Sequence, residues 1–263
     1  MHVLVQDVAL FLRCSLKKTP ETVDTIEFGS PTAEVKTMAT TFVASHQVIT
    51  KAIESGVDLL IVHEGTFYSH KDQDDTLEND IVLLEKQRLL EESGIAVLRC
   101  HDAIHRDQPD GITEGLLVQL EWITYVQEHQ RALSIVNLPE AMMLQNICSF
   151  VKEKLDIRYL RVMGDLNESF KRVAVLVGYR GGGQTAIPAL MEADVIIVGE
   201  GPEWETPEYV RDAVYQGKKK ALIVLGHMES EEAGMASLAR KLQIRFPSAN
   251  VSWLREQPLF KVI

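Results

Sequence analysis

The chain contains few cysteines, and their spacing does not pair them. There are three, Cys14, Cys100 and Cys148, among 263 residues. An odd and sparse set without CxxC spacing argues against a disulfide framework and against a thiolate zinc site. Such a set is typical of free thiols in a reducing cytosol, so we expect a cytoplasmic protein.

Long hydrophobic runs and an excess of positive charge are also absent from the sequence. No apolar run approaches the roughly 20 residues that span a membrane, and residues 1–7 lack the pattern of a signal peptide. The 27 basic and 38 acidic residues give a net charge of −11. Because non-specific nucleic-acid binding requires a basic surface, we do not expect a nucleic acid as a partner. Because no apolar run is long enough to span a bilayer, we do not expect a membrane either. A small nucleotide or phosphate substrate stays compatible, since a bound metal reverses the local field.

One pattern occurs twice and organises the chain. Residues 58–65 read Asp-Leu-Leu-Ile-Val-His-Glu-Gly, and residues 194–201 read Asp-Val-Ile-Ile-Val-Gly-Glu-Gly. A short apolar run that follows a helical segment indicates a buried strand, and polar groups at its carboxyl end face the ligand crevice of an open α/β sheet. We therefore predict an α/β fold of two similar halves, residues 1–125 and 126–263, with largely parallel sheets.

The remaining elements follow from periodicity and from capping residues. Apolar and β-branched runs predict strands over 35–44, 95–101, 158–162, 173–177, 221–225 and 251–254, with an edge strand within 125–138. Helical spacing predicts helices over 45–56, 80–93, 208–216 and 230–242. Proline favours the first turn of a helix, so Pro139 predicts a further helix that extends to Lys154.

Four groups of polar residues lie at predicted strand ends. They are His63 with Glu64, His101 with His105, Glu200, and His227 with Glu231. Two of the groups have i, i+4 spacing, which places both side chains on one face of a helix, about 5–6 Å apart at Cβ. Imidazole and carboxylate placed in this way suit zinc, iron, manganese, nickel or cobalt.

Each of these features also has a structural interpretation. A single strand-end histidine is commonly a hydrogen-bonded structural residue, and HxxxE spacing is common on solvated helix faces. The metal hypothesis therefore depends on the coincidence of all four groups. The other four histidines, His2, His46, His70 and His129, lie elsewhere in the sequence and are given no role.

Two further motifs are better explained without chemistry. The glycine-rich segment 178–183 could hold a phosphate at a helix N-terminus, but it lacks the lysine and hydroxyl residue of a P-loop, so a tight turn between strand and helix is favoured. Cys100 beside His101 could suggest a nucleophile, but a cysteine inside a predicted strand is more often packed in the core.

The strand-end motifs resemble those of the dinuclear-metal-centre family, the NGG-one interacting factor three-like proteins, some of which are named GTP cyclohydrolase type 2 homologues. In that family successive strands end in His-His-Pro, in His-Thr-Asn-Leu-Asp and in Gly-His-x-x-x-Glu. The matching stretches here are His63–Phe67, His101–His105 and Gly226–Glu231. Residues 52–58 and 194–200 match as well, so the resemblance covers nearly the whole chain.

The sequence departs from the family motifs at two positions. Glu64 stands where the family has its second histidine, and His105 stands where the family has aspartate. Together the two changes exchange a histidine and a carboxylate, so three histidines and two carboxylates are retained. We therefore expect a retained metal site with altered ligand distribution.

The resemblance implies a site and an assembly. It makes five residues the ligands of two divalent transition-metal ions held in the cleft between the halves, with Glu231 as the bridging ligand: His63, Glu64, His105, His227 and Glu231. It places His101 beside the site, and His101 and Glu200 are our candidates for a catalytic proton carrier. It also implies a homo-oligomer, a toroidal hexamer, which nothing in the residues themselves indicates.

Three functions are compatible with these observations. The first is a metal-dependent hydrolase that acts on an unidentified small molecule, such as a nucleotide or phosphoester, through a metal-activated water. The second is a metal-stabilised binding or scaffold protein without turnover. The third is a metal-free ligand-binding protein, which requires His63, His105 and His227 to lie far apart.

Overall fold

The structure is a computed structural model that describes residues 2–13, 21–71, 77 and 79–263, and Cys14 lies outside these residues. Its helices are α1 Val5–Leu12, α2 His46–Glu54, α3 Ile81–Ser93, α4 Asp102–Arg106, α5 Gly111–Gln119, α6 Leu144–Leu155, α7 Gly183–Glu192, α8 Thr206–Tyr215 and α9 His227–Arg245. Its strands are β1 Ile26–Phe28, β2 Thr37–Thr41, β3 Leu59–Val62, β4 Ala96–Arg99, β5 Val126–His129, β6 Ser134–Met143, β7 Arg161–Met163, β8 Ser169–Leu176, β9 Val195–Val198, β10 Ala221–Val224 and β11 Asn250–Trp253. A 3-10 turn covers Ile123–Tyr125.

The chain forms two compact units. Unit 1 consists of Met1–Asp107 and Met235–Gln257, and unit 2 consists of Gln108–Gly234 and Pro258–Ile263. Helix α9 runs through the second division, so its first two turns belong to unit 2 and the rest to unit 1. From the repeated sequence pattern we predicted two halves that divide after residue 125. That division concerns the repeat and stays a prediction.

Unit 1 is built on a five-stranded sheet. The strand order is β1-β4-β3-β2-β11, and every neighbouring pair is parallel except β1 with β4. Strands β3 and β4 are buried along their whole length, because helices cover the faces of a parallel sheet. The C-terminal strand β11 pairs with β2 from the beginning of the chain, a contact that sequence order does not indicate.

Local sequence signals fix the helices of unit 1. Ser45 is the N-cap of α2, as predicted, because its side chain accepts a hydrogen bond from the Val48 N–H at 3.1 Å. The Asp80 side chain caps α3 in the same way, and Gly94 ends that helix with a φ of 70°, a left-handed conformation that glycine adopts without a steric cost. These helices and strands confirm the elements that periodicity predicts in this region.

Unit 2 is built on a six-stranded mixed sheet. The order is β5-β6-β8-β9-β10-β7, in which β8, β9 and β10 are parallel and the remaining pairs are antiparallel. The core of the unit lies between the parallel centre of this sheet and helices α7 and α8. The parallel centre brings the carboxyl ends of β8, β9 and β10 to one edge, where the polar motifs of the second half lie.

The helix that we predicted from Pro139 to Lys154 is wrong at its beginning. Pro139 lies inside strand β6, and the helix starts at Leu144. The pairing of β6 with β8 is interrupted between Asn137 and Met142, where the register shifts. A proline has no N–H to donate to the ladder and is tolerated where the ladder is irregular, so the position of Pro139 is compatible with a strand.

The predicted α/β class with two sheets is confirmed by these two units. Cys100 is 1% exposed and packs in the core, and burial raises the pKa of its thiol well above the ordinary value, which supports its interpretation as a core residue. Over the residues that the structure describes, no helix combines the length and the apolar character that a membrane crossing requires.

Candidate metal centre

Strands β3 and β4 deliver the first polar groups of unit 1. They are parallel neighbours with Val62 opposite Arg99, so the residues that follow them leave the sheet at the same edge. The backbone N–H groups of His63 and Glu64 both donate to the Phe42 carbonyl, at 3.0 and 2.9 Å. The sheet therefore holds His63 at a fixed position beside the start of the segment that carries His101.

A buried carboxylate fixes the start of helix α4. Asp24, which is 1% exposed, accepts hydrogen bonds from the backbone N–H groups of His101, Asp102 and Ala103 at 2.7, 2.8 and 2.8 Å. These N–H groups belong to the first turn of the helix, where they have no partner within the helix itself. Asp24 thereby sets the orientation of α4, which carries His101 at its N-cap and His105 one turn later.

Three histidine rings of unit 1 meet at this edge and form what we call the histidine cluster, His63, His101 and His105. Their ring centroids lie 4.8 to 5.0 Å apart. Each ring offers a nitrogen within 4.8 Å of the nitrogens of the other two, which is close enough to hold one metal ion. The structure thus brings the predicted ligands His63 and His105 together and places His101 beside both of them.

Hydrogen bonds orient two of these rings. The Nδ1 of His63 lies 3.0 Å from the Cys100 carbonyl, which only accepts, so Nδ1 carries the proton and Nε2 carries the lone pair. The Nδ1 of His101 lies 3.1 Å from a carboxylate oxygen of Asp102. Metal-binding histidines are commonly held by such contacts, which fix the tautomer and present the other nitrogen to the ion.

The electrostatics of the cluster favour the uncharged form of the His101 ring. Burial, together with the neighbouring rings of His63 and His105, lowers the pKa of His101 to about 4. The carboxylates of Glu64 and Asp102 act in the opposite direction and are outweighed. At neutral pH the His101 ring is therefore neutral, which is the protonation state that binds a metal.

Glu64 takes part in a second group of donors in unit 1, the Glu64 group of Glu64, His70 and His101. Its Oε1 lies 3.6 Å from the His101 Nε2, and its Oε2 lies 3.7 Å from the His70 Nδ1. The expectation from the sequence that His70 lies away from the site is wrong. The loop after β3 turns back over the strand ends and brings His70 within 5.0 Å of the His101 ring.

The polar motifs of unit 2 form the His227 group, Glu200, His227 and Glu231. Helix α9 begins at His227, so Glu231 follows one turn later on the same face, with its Oε2 3.2 Å from the His227 Nε2. The His227 Nδ1 lies 2.8 Å from the Glu200 Oε1 on its other side. Glu231 is 2% exposed. One carboxylate on each nitrogen of a histidine is an arrangement that is typical of metal sites, where one carboxylate orients the ring and the other shares the ion with it.

Gly178 provides the space that the His227 group occupies. Its φ is 60°, and an added Cβ would collide with the Glu231 Oε1 and lie 3.1 Å from the His227 Nε2. The Gly178 N–H donates to the Ser230 hydroxyl at 2.9 Å, and this hydroxyl donates to the His227 carbonyl at 2.7 Å. The loop after β8 is therefore packed directly against the start of α9.

We expect Gly178→Ala to weaken metal binding at least about tenfold, because its methyl group displaces the buried carboxylate of Glu231, a proposed metal ligand. Gly217→Ala is the matched control, since Gly217 has a similar φ of 74° and nothing within 4 Å of an added Cβ. Both variants carry the same left-handed strain, so only the contact with Glu231 differs. Competitive Zn²⁺ titration measures the difference, and equal affinities for the two variants would contradict the expectation.

The glycine-rich segment is a tight turn, as we favoured. The Gly183 N–H at the start of α7 donates to the Glu205 carboxylate at 2.5 Å, and the Gly181 N–H donates to the Glu200 carbonyl at 3.0 Å. A protein carboxylate thus takes a position at the helix N-terminus that a phosphate would need.

Beside this turn unit 2 contains a cavity of about 420 Å³. Its wall includes the apolar side chains of Val198, Leu222 and Val224 near the ends of β9 and β10, and Trp204 and Arg161 also line it. A mixed apolar and polar lining of this kind is typical of small-molecule sites. The cavity lies next to the loop that carries Glu200, since Gly201 is also part of its wall.

The donors of both units fit a divalent transition metal. Imidazole is a borderline ligand and carboxylate a hard one, and together they suit zinc, iron, manganese, nickel or cobalt. Unit 1 brings His63, Glu64 and His105 together with His101, and unit 2 brings His227 and Glu231 together with Glu200. Sequence reasoning missed Asp24, Arg99, His70 and Ser230, and no local signal indicates Asp24 or Arg99, because their partners are distant in the chain.

Comparison with known proteins agrees with the motif resemblance. The family model described as Duf34/NIF3 (NGG1p interacting factor 3) matches residues 20–257. A protein of Clostridium perfringens named GTP cyclohydrolase 1 type 2 homolog is 25% identical over 215 residues, which is 78% of this chain and 76% of that protein. A protein of the same name from Deinococcus radiodurans is 27% identical over 220 residues, 82% of this chain and 78% of that protein.

Solved structures agree in fold. The crystal structure of a Bacillus cereus protein related to NIF3 superposes with a TM-score of 0.77 at 15% identity and covers 99% of both chains. The protein ybgI, of unknown function, superposes with a TM-score of 0.78 at 19% identity and covers 97% of this chain and 99% of its own. At these identities the likeness concerns the fold alone.

Proposed function

The chain belongs to the Duf34/NIF3 family, and on that premise we propose that it is a metal-dependent hydrolase that acts on a small molecule. The observation that carries the proposal is the histidine cluster of unit 1. Its three nitrogens lie within 4.8 Å of one another, and the lone pair of His63 is fixed by the bond to Cys100. Three imidazoles that converge in this way, one of them fully buried, are not needed to fill a hydrophobic core, so we take them as evidence for metal binding.

We propose that five residues hold two divalent ions, as the family resemblance implies: His63, Glu64, His105, His227 and Glu231. Two ions would lower the pKa of a bound water and stabilise negative charge on attacking and leaving oxygens. Glu200 orients His227 through the 2.8 Å contact with its Nδ1. Glu64 is held by Arg99 at 3.1 Å, so one of its oxygens is positioned by the protein.

His101 is the proposed proton carrier. It is neutral at neutral pH, its Nδ1 is held by Asp102, and its Nε2 faces the Glu64 carboxylate. A neutral imidazole with an available nitrogen can accept a proton from a nucleophilic water and return it to a leaving group. The cavity in unit 2 would hold the apolar part of a substrate.

The class of substrate is a proposal from the names of relatives. The Clostridium perfringens and Deinococcus radiodurans proteins are named GTP cyclohydrolase 1 type 2 homologs, so nucleotides and phosphoesters are the first compounds to screen. We also propose, from the motif resemblance, a cytoplasmic homo-oligomer in the form of a toroidal hexamer.

A second function, a metal-stabilised scaffold without turnover, is favoured by the buried position of His63 and Glu231, which are 0% and 2% exposed. The two functions differ in the coordination of the ions. An enzyme keeps an open position with an exchangeable water, whereas a structural site is saturated by protein ligands. X-ray absorption spectroscopy of the metal-loaded protein, with and without added azide, distinguishes them, since only an open position accepts azide.

Metal content tests the proposal directly. Elemental mass spectrometry of protein purified without a metal-affinity tag is expected to give about two transition-metal ions per chain. His63→Ala should lower the affinity at least about 100-fold, and the double variant of His227 and Glu231 to alanine should lose metal while staying folded. His46→Ala is the matched control, because His46 is an exposed histidine on α2. Wild-type protein that takes up no Zn²⁺, Mn²⁺ or Fe²⁺ would refute the proposal.

A further inference from the structure

Arg99 is a buried cation directly beneath the Glu64 group. It is the last residue of β4, its side chain is 1% exposed, and it is among the largest fully buried side chains of the described residues. A guanidinium stays charged at any pH that a protein tolerates. Since burying a charge is costly unless it is paired, the groups that Arg99 contacts are part of a built arrangement.

The guanidinium is bound on all of its nitrogens by the strand ends and the loop after β3. Its Nη2 donates to the Glu64 Oε2 at 3.1 Å and lies 3.1 Å from the His70 Nδ1. Its Nη1 donates to the His70 carbonyl at 2.6 Å, and its Nε donates to the His63 carbonyl at 3.3 Å. The planar guanidinium has donors in fixed directions, so it suits these acceptors better than the ammonium group of a lysine would.

Two of the three donors of the Glu64 group are therefore bound by one arginine nitrogen. Glu64, His70 and His101 offer ligand atoms within 4.8 Å of one another and could hold a metal ion. The Nη2 of Arg99 already uses the lone pair of the His70 Nδ1 and one oxygen of Glu64. A metal ion bound to the same two atoms would meet a permanent positive charge at short range.

The surrounding charges support a cation at this position. Glu27, 5% exposed, has an oxygen 4.0 Å from the Arg99 Nε, so Arg99 faces two carboxylates. Glu27 also accepts from the Thr66 N–H and hydroxyl, and the buried Lys86 donates to the Thr66 carbonyl. Without the guanidinium, the Glu64 group would keep its three metal-binding side chains but lose the positive charge that balances the carboxylates of Glu64 and Glu27.

We propose that Arg99 is a built-in cation that closes the Glu64 group to metal ions. His101 is thereby kept from a metal ion at the Glu64 group and stays available as the proposed proton carrier, and Glu64 presents only its Oε1 to an ion of the proposed centre. Arg99 is thus a positioning residue that decides which of two overlapping donor groups binds metal. This inference rests on the proposed function only in so far as the chain binds metal.

Zn²⁺ stoichiometry of Arg99 and His70 variants tests the inference. Arg99→Met, which keeps the length of the side chain without its charge, is expected to bind one more Zn²⁺ per chain than wild type. Arg99→Lys, which keeps the charge, should bind the wild-type number. The additional ion should disappear in Arg99→Met combined with His70→Ala. A folded Arg99→Met variant with the wild-type number of ions would overturn the inference.

His70→Ala in the wild-type background keeps the inference testable if Arg99→Met does not fold, because the His70 side chain is 54% exposed and its removal is tolerated. We expect this variant to keep the wild-type number of ions, and loss of one ion would show that the Glu64 group binds metal despite Arg99. Failure of the proposed function gives a different result, namely no Zn²⁺ in wild type. In that case uptake of one ion by Arg99→Met alone would still support the role of Arg99.

Discussion

Asp24→Ala is expected to lower the free energy of unfolding by about 3–5 kcal/mol, because it leaves three backbone N–H groups of α4 without their acceptor. The three bonds are 2.7 to 2.8 Å long and join a buried carboxylate to the first turn of the helix. Hydrogen bonds to a charged group are each worth about 1.5–3 kcal/mol, and part of the loss is recovered where water reaches the helix end. Urea denaturation of the metal-free protein measures the change.

The same substitution should weaken metal binding, since α4 carries His101 and His105. Asp7→Ala is the matched control. Asp7 is an exposed carboxylate that accepts one backbone N–H, that of Leu4 at 3.0 Å, at the start of α1. We expect this control to cost about 1 kcal/mol and to leave metal affinity unchanged. A loss of less than about 1 kcal/mol for Asp24→Ala would mean that α4 is held by other contacts.

Gly115→Ala should destabilise the protein by about 2–3 kcal/mol, because two helices of unit 2 approach too closely for a side chain at this position. An added Cβ at Gly115 of α5 would lie 2.5 Å from the Gly234 Cα, 2.8 Å from its nitrogen and 2.9 Å from the Ala233 carbonyl oxygen of α9. All three atoms belong to the backbone, so no rotamer change relieves the collision. Alanine favours a helix more than glycine does by about 1 kcal/mol, which offsets part of the cost.

Helix α9 also carries His227 and Glu231 in its first two turns, so its displacement by Gly115→Ala should lower metal affinity in parallel with stability. Gly182→Ala is the control, since an added Cβ there meets the Glu205 Oε2 at 3.4 Å and the Pro202 Cδ at 4.0 Å, both ordinary contacts. Thermal and urea denaturation of the two variants provide the comparison. A Gly115→Ala variant as stable as the Gly182→Ala control would show that α5 and α9 can separate without cost.

Local signals were sufficient for most of the elements. Ser45 and Gly94 mark helix boundaries through their own backbone preferences, and the run before His63 is apolar enough to be a buried strand whatever surrounds it. Pro139 shows the limit of such signals. Its missing N–H is compatible with the first turn of a helix and with an interrupted strand, and the pairing of β6 with β8 decides between them.

By itself the sequence determined that His63, His101 and His227 follow apolar strands and that His105 and Glu231 lie one turn beyond, because these relations depend on residues that are close in the chain. The tertiary structure alone decided which side chains support them. Asp24 reaches His101 across 77 residues, and Arg99 joins Glu64 and His70 from the neighbouring strand. The sequence around a single carboxylate or guanidinium has no pattern that indicates a distant partner. The partner depends on the order of the strands and on the path of the loops, and both are properties of the whole folded chain.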